Sequence, residues 1–309
     1  MKVLVTGGAG FIGSHVVERC LAAEHRVAVV DDLSTGRREN VPPRARLYVQ
    51  DIRDPALADV FRSEAPDAVI HLAAQAAVSR SVANPRLDAE INILGSLNVL
   101  ECCRQTGVRR VVYASTGGAA YGDTEKLPTP EDHPTRPSSP YGVSKVTVEQ
   151  YLACWGGLYG LSTVALRYAN VYGPRQSPHG EAGVIAIFTD RILRGEPCIV
   201  NGDGLQTRDY VYVGDIAEAN ALALDRPDVT GPVNLGTGVA TSVLELFAAL
   251  RAAAGGRAEA RHGPPRPGEQ RRSVLDATRA RLVLGWTPRV ALAEGLQRTF
   301  DALRSAAAG

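Results

Sequence analysis

The chain has 309 residues, of which 45% are hydrophobic and 22% charged, and its formal net charge is +1. The length suits one large α/β unit or two coupled domains, and the composition is ordinary for a globular enzyme. The balanced charge gives no reason to expect nucleic acid or an anionic membrane as a partner, so any phosphate binding must come from a few placed arginines. No stretch approaches the ~18 uninterrupted apolar residues of a membrane span.

The cysteines and the N-terminus bear on the compartment. The five cysteines form no Cys-x-x-Cys pair, and Cys20, Cys102 and Cys103 fall in apolar helical stretches, where cysteine is usually a small core residue. The chain enters its first apolar run at once, without the charged leader and apolar segment of a signal peptide. We therefore expect a soluble, reduced and cytoplasmic protein.

A glycine-rich turn follows the first apolar run. Val3–Val5 contains β-branched residues and predicts a buried parallel strand, and a helix is expected over about 11–23. Between them lie Gly7, Gly10 and Gly13, an order that allows a tight turn, close approach to a pyrophosphate and packing of a helix on the sheet. The helix N-terminus adds free N–H groups and a positive dipole end. The turn predicts a phosphate-binding site; the alternative is a glycine-rich turn with no ligand.

The second apolar run, Arg26 to Val30, ends at Asp31. A carboxylate at the end of this strand can accept both ribose hydroxyls of an adenosine and would repel a 2′-phosphate. The order of strand, glycines, helix, strand and acidic residue therefore predicts NAD as the cofactor rather than NADP.

The third and fourth strands end in residues that would line the same crevice, because ligands of a doubly wound sheet lie beyond the carboxyl ends of its strands. Ala45 to Val49 is followed by Asp51-Ile52. We expect Asp51 to accept from an adenine amino group, with Ile52 covering the ring; the alternative is that Asp51 caps the next helix. Asp67 to Leu72 is followed by Ala73-Ala74-Gln75, where small residues suit close passage of the cofactor.

A long helical stretch is predicted from Asn84-Pro85 to about Thr106, with Asn92 among its apolar positions. A buried Asn needs partners for its amide. Two interpretations stay open: a structural amide bonded to nearby backbone, or a contact that orients the cofactor.

The fifth strand and the helix after it carry the reactive residues. Arg109 to Ala114 is followed by Ser115-Thr116, and after a Pro-rich loop, 127–140, a helix is expected to begin at Ser139-Pro140. Tyr141 and Lys145 on that helix are four residues apart, so the phenol and the ammonium point the same way.

These groups beside NAD suit removal of a proton from an alcohol while hydride leaves its carbon. Lys145 and a nicotinium ring would favour the phenolate of Tyr141 and lower its pKa from about 10 toward neutrality. Thr116 can donate to the substrate oxygen; the alternative is a strand-end hydroxyl bonded only to backbone.

The second half of the chain loses the regular βα alternation after a sixth strand at Leu161 to Leu166. Its loops contain Asn170, Arg208 and Arg266, and a guanidinium suits a pyrophosphate through paired donors. We expect Tyr210 to Val213 and Val233 to Leu235 to return to the first sheet.

The fold class predicted is therefore α/β: a doubly wound, Rossmann-like parallel sheet with a second, smaller α/β substrate domain. The cofactor domain is expected over 1–168 and the substrate domain over 169–309, with about 209–237 returning to the Rossmann sheet.

Several motifs resemble the extended short-chain dehydrogenase/reductase family, and within it the nucleotide-sugar epimerases that act on C4 of UDP-glucose. They are Thr6-Gly-Gly-Ala-Gly-Phe-Ile-Gly13, Asp31 to Gly36, Asp51-Ile52, Ser115-Thr116, Tyr141 to Lys145, Arg167 to Pro174, Arg208 to Val213 and Arg266-Pro-Gly-Glu269. They cover nearly the whole chain.

The resemblance implies a set of site residues. Thr116, Tyr141 and Lys145 would be catalytic. NAD would be bound by Gly7, Gly10, Phe11, Ile12, Gly13, Asp31, Asp32, Ser34, Thr35, Gly36, Asp51, Ile52, Leu72, Ala73, Ala74, Gln75, Asn92, Ser115, Tyr141, Lys145 and Tyr168. The UDP-sugar would contact Thr116, Tyr141, Asn170, Gly183, Val184, Arg208, Arg266, Glu269 and Ser273. No metal is implied.

The resemblance also implies a mechanism and an assembly. Tyr141 would take the 4′-hydroxyl proton while hydride moves to a tightly held NAD, and the 4-keto sugar would turn about its diphosphate before hydride returns. A homodimer is implied, with the helices near Asn84–Thr106 and Tyr141–Gly156 of two subunits in contact. Ser273 would wall the sugar's C2 substituent, and as a small residue it would admit an N-acetyl group unless Arg271 or Arg272 closes the space.

Three rival functions remain. A nucleotide-sugar 4,6-dehydratase typically needs Asp-Glu beside the catalytic Thr, where this chain has Gly117-Gly118. An epimerase of another nucleotide sugar, such as UDP-glucuronate, is harder to separate. A non-catalytic NAD-sensing protein would not need the Tyr141–Lys145 pair.

Overall fold

Seven strands form one parallel sheet in the computed structural model, which describes residues 1–179, 183–256, 258–265 and 270–308. These strands are β1 Lys2–Thr6, β2 Arg26–Asp31, β3 Arg46–Val49, β4 Ala68–His71, β5 Arg110–Thr116, β6 Ser162–Tyr168 and β11 Gly231–Leu235. Their order is β11-β6-β5-β4-β1-β2-β3, and every neighbouring pair is parallel. The strand order reverses between β1 and β4, which opens a crevice at their carboxyl ends. The predicted doubly wound sheet is confirmed.

Helices cover both faces of this sheet because its strands are apolar on both sides. Val3 and Val5 of β1 pack in one core, while Leu4 between them packs in the other. The helices of this half are α1 Phe11–Ala22, α2 Leu57–Glu64, α3 Val78–Ala83, α4 Pro85–Ala89, α5 Gly95–Thr106, α6 Gly117–Tyr121 and α7 Pro140–Tyr159.

The long helix predicted from Asn84 is present but contains an irregular turn. The Asn84 side chain accepts from Leu87 N–H at 3.1 Å and caps α4. Between α4 and α5 the chain continues through one π-helical segment, Glu90–Leu94, with Asn92 buried in it. Such turns recur at functional sites.

The second half is built from short strands around a third hydrophobic core. Its elements are β7 Asn170–Tyr172, α8 Val184–Leu193, β8 Cys198–Asn201, β9 Thr207–Arg208, β10 Tyr210–Tyr212, α9 Val213–Leu224, β12 Thr241–Ser242, α10 Val243–Ala253, β13 Ala260–Gly263, β14 Arg272–Ser273, α11 Thr278–Leu284 and α12 Leu292–Ala308. Of these, α9 and α11 pack in the first core, against the large sheet. Within the described ranges they form sheets of two or three strands, β10-β7, β12-β9-β14 and β13-β8.

One of the two segments expected to rejoin the large sheet does so. Val233 to Leu235 lies in β11 and pairs with β6. Tyr210 to Val213 does not, because β10 pairs with β7 in a small sheet of its own. That part of the prediction is wrong, since an apolar run shows that a strand is buried but not which neighbour it pairs with. Among the described helices, none has the length and apolar character that crossing a membrane requires.

Candidate active site

The glycine turn lies at the carboxyl end of β1 against the loop that follows β4. Gly7 has a φ of +71°, and a Cβ there would lie 2.6 Å from the backbone nitrogen of Ala73. A Cβ at Gly13 would lie 2.0 Å from the Gly7 carbonyl oxygen. Gly10 is the N-cap of α1, which begins at Phe11 and has no acidic residue in its first turn and no side-chain cap. The glycines let the turn pack directly on the loop after β4 and on α1, and the uncapped first N–H groups of α1 suit an anion.

Asp31 lies at the end of β2 and is buried. Its Oδ2 accepts from Ala9 N–H and its Oδ1 from Leu33 N–H, each at 2.9 Å. Burial raises the pKa of its carboxyl, and the two hydrogen bonds lower it by a smaller amount. Asp31 is thereby fixed beside the glycine turn.

The residues after Asp31 form an open loop. Asp32 Oδ1 accepts from the N–H and hydroxyl of Ser34, at 2.9 and 2.6 Å. Ser34 and Thr35 are exposed. A Cβ at Gly36 would lie 2.7 Å from Asp31 Oδ1, so this glycine lets the loop approach the carboxylate.

One of the two interpretations offered for Asp51, the helix cap, is wrong. Arg53 holds its carboxylate through an ion pair, and the hydrogen bonds from Arg53 lower the pKa of Asp51. Helix α2 has Ala56 as its N-cap, so Asp51 does not cap it. Ile52 beside it is buried.

Asn92 has a complete set of partners within the fold. Its Oδ1 accepts from Gln75 N–H at 2.8 Å, and its Nδ2 donates to Gln75 O and Asp88 Oδ1, each at 2.9 Å. The structure favours the structural interpretation, in which Asn92 fixes the loop 72–75 behind the glycine turn.

Thr116 and Tyr141 meet at the carboxyl end of β5. The Thr116 hydroxyl accepts from Ala119 N–H at 3.3 Å, as the N-cap of α6, and it is also hydrogen-bonded to the Tyr141 phenol. Burial and the charge of Asp88 raise the pKa of Tyr141 to about 12, while the Thr116 hydrogen bond lowers it. Desolvation of the phenol therefore dominates in the protein alone, and the lowering expected from the sequence depends on the charge of a bound nicotinium ring.

Lys145 lies one turn beyond Tyr141 on α7, which begins as predicted with Ser139 as its N-cap. Its Nζ donates to Ala114 O at 2.8 Å and lies 4.8 Å from the Tyr113 ring centroid and 5.9 Å from that of Tyr141. Burial lowers the pKa of Lys145 to about 8, although Asp88 and Glu149 raise it. The ammonium of Lys145 therefore lies on the same side of α7 as the Tyr141 ring, as the spacing predicts.

Two residues expected to contact the cofactor are engaged inside the protein. Ser115 donates to Glu149 Oε1 at 2.5 Å, and Glu149 is in turn paired with Arg167. Tyr168 is buried, and its hydroxyl donates to Asn220 Oδ1 at 3.0 Å.

Sequence reasoning missed Asp88, His71 and Glu149. Asp88 accepts from Gln75, Asn92 and Ser144. His71 bridges Thr6 and Ser96, at 2.6 and 2.9 Å, and burial lowers its pKa to about 3, so it is neutral. A signal was available for two of them: Asp88 precedes Asn92 by four residues, and Glu149 follows Lys145 by four.

A cavity of about 420 Å³ lies in the second half of the chain. Four of the residues predicted to bind the substrate line it, namely Asn170, Gly183, Val184 and Arg208. It is open and lined by both apolar and polar side chains, as nucleotide sites are. Arg266 and Glu269 lie outside the described residues.

Ser273 connects this cavity to the reactive residues. It pairs with Arg208 in the β14-β9 ladder, and its Oγ lies 3.6 Å from where a Cβ on Gly118 would be. Arg271 is exposed and ion-paired with Asp203, and Arg272 is exposed.

Known proteins share both the sequence and the fold of this chain. The sequence model of the NAD dependent epimerase/dehydratase family matches residues 3–236. The UDP-glucose 4-epimerase of Thermotoga maritima, solved with UDP-glucose, is 48% identical, with a TM-score of 0.96 over 99% of this chain and 100% of that one. The UDP-glucose 4-epimerase of Thermus thermophilus, solved with NAD, is 51% identical, with a TM-score of 0.94 over 99% and 100%. A UDP-N-acetylglucosamine 4-epimerase of Methanobrevibacter ruminantium, in complex with UDP-N-acetylmuramic acid, is 34% identical, with a TM-score of 0.94 over 99% and 98%.

Proposed function

The chain belongs to the NAD dependent epimerase/dehydratase family, and we propose that it interconverts UDP-glucose and UDP-galactose by epimerisation at C4, with NAD tightly bound. One observation carries the proposal: the hydrogen-bonded pair Thr116 and Tyr141 lies two strands from the glycine turn and, through Gly118 and Ser273, beside the cavity that Arg208 lines. The ligands of the two similar UDP-glucose 4-epimerases, UDP-glucose in one and NAD in the other, support it.

The residues at the glycine turn fit NAD. The turn has no room for a Cβ at Gly7 or Gly13, because each would meet backbone atoms. The uncapped start of α1 suits the pyrophosphate. Asp31 would accept the adenosine ribose hydroxyls, which excludes a 2′-phosphate. Asp51 would reach the adenine only by sharing its carboxylate with Arg53.

The chemistry rests on Tyr141 as the base. When bound, NAD supplies a hydride acceptor and a positive charge that lowers the pKa of a nearby phenol. The Tyr141 oxygen takes the proton of the sugar 4′-hydroxyl and later returns it. Thr116, hydrogen-bonded to the phenol, orients the same hydroxyl. Lys145, anchored on Ala114 O, stabilises the phenolate through its charge.

The second half holds the nucleoside diphosphate. Arg208 on β9 and Asn170 on β7 line the cavity wall from different small sheets, and Arg208 supplies the positive charge a diphosphate requires. Arg266 and Glu269 are proposed to close the site. A sugar held only by its diphosphate can turn and present either face to Tyr141, which is what epimerisation demands.

The test is direct. The purified protein is incubated with UDP-glucose or UDP-galactose without added cofactor, and the products are identified by NMR. Both sugars should give the same mixture, and denatured protein should release NAD rather than NADP. Recovery of NADP would contradict the role of Asp31; a 4-keto-6-deoxy product would identify a dehydratase.

The dehydratase alternative conflicts with the space beside Thr116. A Cβ at Gly117 would lie 2.4 Å from Leu275 Cδ1, so an acidic side chain at that position would require the buried Leu275 side chain to shift. Gly118 faces Ser273 rather than a second acid. Neither position supplies the acid and base that elimination of water needs.

The small side chain of Ser273 favours a second substrate. Among the described residues, the one atom within 4 Å of a Cβ on Gly118 is Ser273 Oγ, and we propose that UDP-N-acetylglucosamine is also epimerised. The similar UDP-N-acetylglucosamine 4-epimerase supports this extension.

A homodimer completes the proposal. Val82 of α3, Leu94 before α5, and Val143 and Leu158 of α7 are exposed although large and apolar. Burying such side chains between two copies is favourable. A monomer by light scattering at micromolar concentration would contradict it. All five cysteines are unpaired thiols, which suits the reducing cytoplasm. A role in galactose metabolism is proposed because the reaction would interconvert UDP-glucose and UDP-galactose.

A further inference from the structure

A buried carboxylate lies between the cofactor loop and the catalytic helix. Asp88 of α4 is 1% exposed. Its Oδ1 accepts from Gln75 Nε2 and Asn92 Nδ2, each at 2.9 Å, and its Oδ2 accepts from Ser144 Oγ at 2.7 Å. The three donors come from three different segments: the loop after β4, the π-helical turn and α7.

The orientation of both amides is fixed by backbone groups. Asn92 Oδ1 accepts from Gln75 N–H, and Gln75 Oε1 accepts from Ala77 N–H at 2.7 Å. The NH₂ group of each amide must therefore face Asp88. A carboxylate surrounded by donors is satisfied only as an anion.

No cation is hydrogen-bonded to this anion in the described part of the chain, but a cation is its neighbour. Ser144 precedes Lys145 on α7, and the charge of Asp88 acts on both Lys145 and Tyr141. Burying a charge is costly unless it is compensated. The Lys145 ammonium attracts this charge without forming a direct ion pair with it.

We propose that Asp88 is a positioning residue for the reaction: its carboxylate fastens the loop at Gln75 to the catalytic helix and holds Lys145 as an ammonium ion. The roles of Tyr141 and Lys145 rest on the proposed function; the charge coupling does not. Burial lowers the pKa of Lys145 to about 8 even with Asp88 present. Without Asp88 the ammonium would be lost at a still lower pH.

Other groups face Lys145, and they do not replace Asp88. Glu149 of the same helix also raises the pKa of Lys145, but it is paired with Arg167 of β6 at 2.5 Å. His71 of β4 is neutral. Tyr113 of β5 and Tyr141 of α7 contribute rings within 6 Å of the ammonium. Asp88 is the carboxylate near Lys145 without an arginine partner among the described residues.

The chain offers an unusually direct test, because it contains three lysines, Lys2, Lys126 and Lys145. Protein labelled with ¹³C at the lysine ε-carbon gives three NMR signals, and Lys145→Arg assigns one of them. In the native protein, purified with its own NAD, we expect that signal to titrate with a midpoint near 8. In Asp88→Asn the midpoint should fall by about one pH unit, which is the smallest pKa shift typical of losing a nearby opposite charge.

Two control variants separate charge from structure. Ser144→Ala removes one hydrogen bond and keeps the carboxylate, so the midpoint should stay within a few tenths of native while kcat falls severalfold. Asp215→Asn removes a buried carboxylate of α9 that accepts from Val290 N–H, and should not move the Lys145 midpoint. Asp88→Ser is a second uncharged variant in case Asp88→Asn does not fold.

The pH profile of kcat supplies an independent readout. Its alkaline limb should move to lower pH in Asp88→Asn by the same amount as the NMR midpoint, whereas a purely structural defect lowers kcat evenly at every pH. A folded variant with no charge at position 88 and a native Lys145 midpoint would overturn the proposal. Absence of epimerase activity in the native protein would refute the proposed function and leave the NMR result standing.

Discussion

The two halves of the molecule build their parts of the site in different ways. In the first half, Asp31, Thr116 and Lys145 lie at or beside the ends of strands of one parallel sheet, and each is held by hydrogen bonds from the core. In the second half, Asn170, Arg208 and Ser273 lie on strands of two or three residues. Arg208 and Ser273 share one small sheet, and Asn170 lies in another. The first arrangement fixes atoms rigidly; the second surrounds an open cavity.

This difference predicts a division of labour. Burial moves the pKa of Tyr141 to about 12 and that of Lys145 to about 8, and strongly shifted pKa values in one cluster are typical of catalytic sites. Residues that only bind a substrate do not need a pKa shift of this size. Changes in the first half should therefore lower kcat, and changes in the second half should alter substrate affinity and selectivity.

The largest effect is expected from Tyr141→Phe. The ring stays and the base is lost, so kcat should fall by ~10²–10⁴-fold while KM changes little. Tyr113→Phe is the matched control: its ring also contacts Lys145, and its buried hydroxyl has no hydrogen-bond partner among the described residues. Steady-state kinetics with UDP-galactose compare the two variants, and near-native kcat in Tyr141→Phe would mean that another group takes the proton.

Arg208→Ala should give the next largest effect, and this effect should appear in KM rather than in kcat. Losing charged hydrogen bonds to a diphosphate corresponds to a loss of ~10–10²-fold in kcat/KM, carried mostly by KM. Arg272→Ala, on the neighbouring strand β14 but exposed, should stay close to native. If Arg208→Ala lowers kcat alone, the division between the two halves fails.

The contrast also explains which parts of the site can be predicted from the sequence. The glycine turn, Asp31 and the Tyr141–Lys145 spacing are local patterns, and the ends of parallel strands meet at one edge of a sheet wherever the strands form. The contacts of His71 with Thr6 and Ser96 depend on packing between elements distant in sequence, and a polar side chain alone does not indicate burial. The spacing of Asp88 and Asn92 is a local pattern, but the hydrogen bond from Ser144 to Asp88 is not.

The second half is harder to predict because its strands are short. A two-residue strand such as β9 carries no periodic signal, so the ladder that brings Ser273 beside Arg208 follows from tertiary contacts. The same limit explains the wrong placement of Tyr210 to Val213. The raised pKa of Tyr141 in the protein alone is equally hard to predict, because desolvation depends on burial that a spacing motif does not specify.

A third prediction sharpens the comparison through pH. Burial lowers the pKa of Lys145 from its ordinary value to about 8, so the ammonium is present below pH 8 and lost above it. We expect kcat to fall by about tenfold per pH unit above this value, if the ammonium is the active form. His71 should not contribute to the acid limb, since burial lowers its pKa to about 3. The measurement is kcat between pH 6 and 10, with preincubation at each pH to check that the enzyme is stable. A kcat that stays constant through pH 10 would contradict this prediction.

The smallest change in the UDP-glucose reaction is expected from Ser273→Tyr, which tests selectivity alone. Ser273 faces Gly118 beside the catalytic turn, so a Tyr side chain there would fill the space proposed for an acetamide. Activity on UDP-N-acetylglucosamine should disappear, while that on UDP-glucose stays within a few fold of native. Because Ser273 is buried, overpacking could cost ~1–3 kcal/mol of stability, which thermal melting would detect. Ser273→Ala keeps the site small and should preserve both activities; a native enzyme inactive on the N-acetyl sugar, or a Tyr variant that accepts both sugars, would refute the pocket assignment.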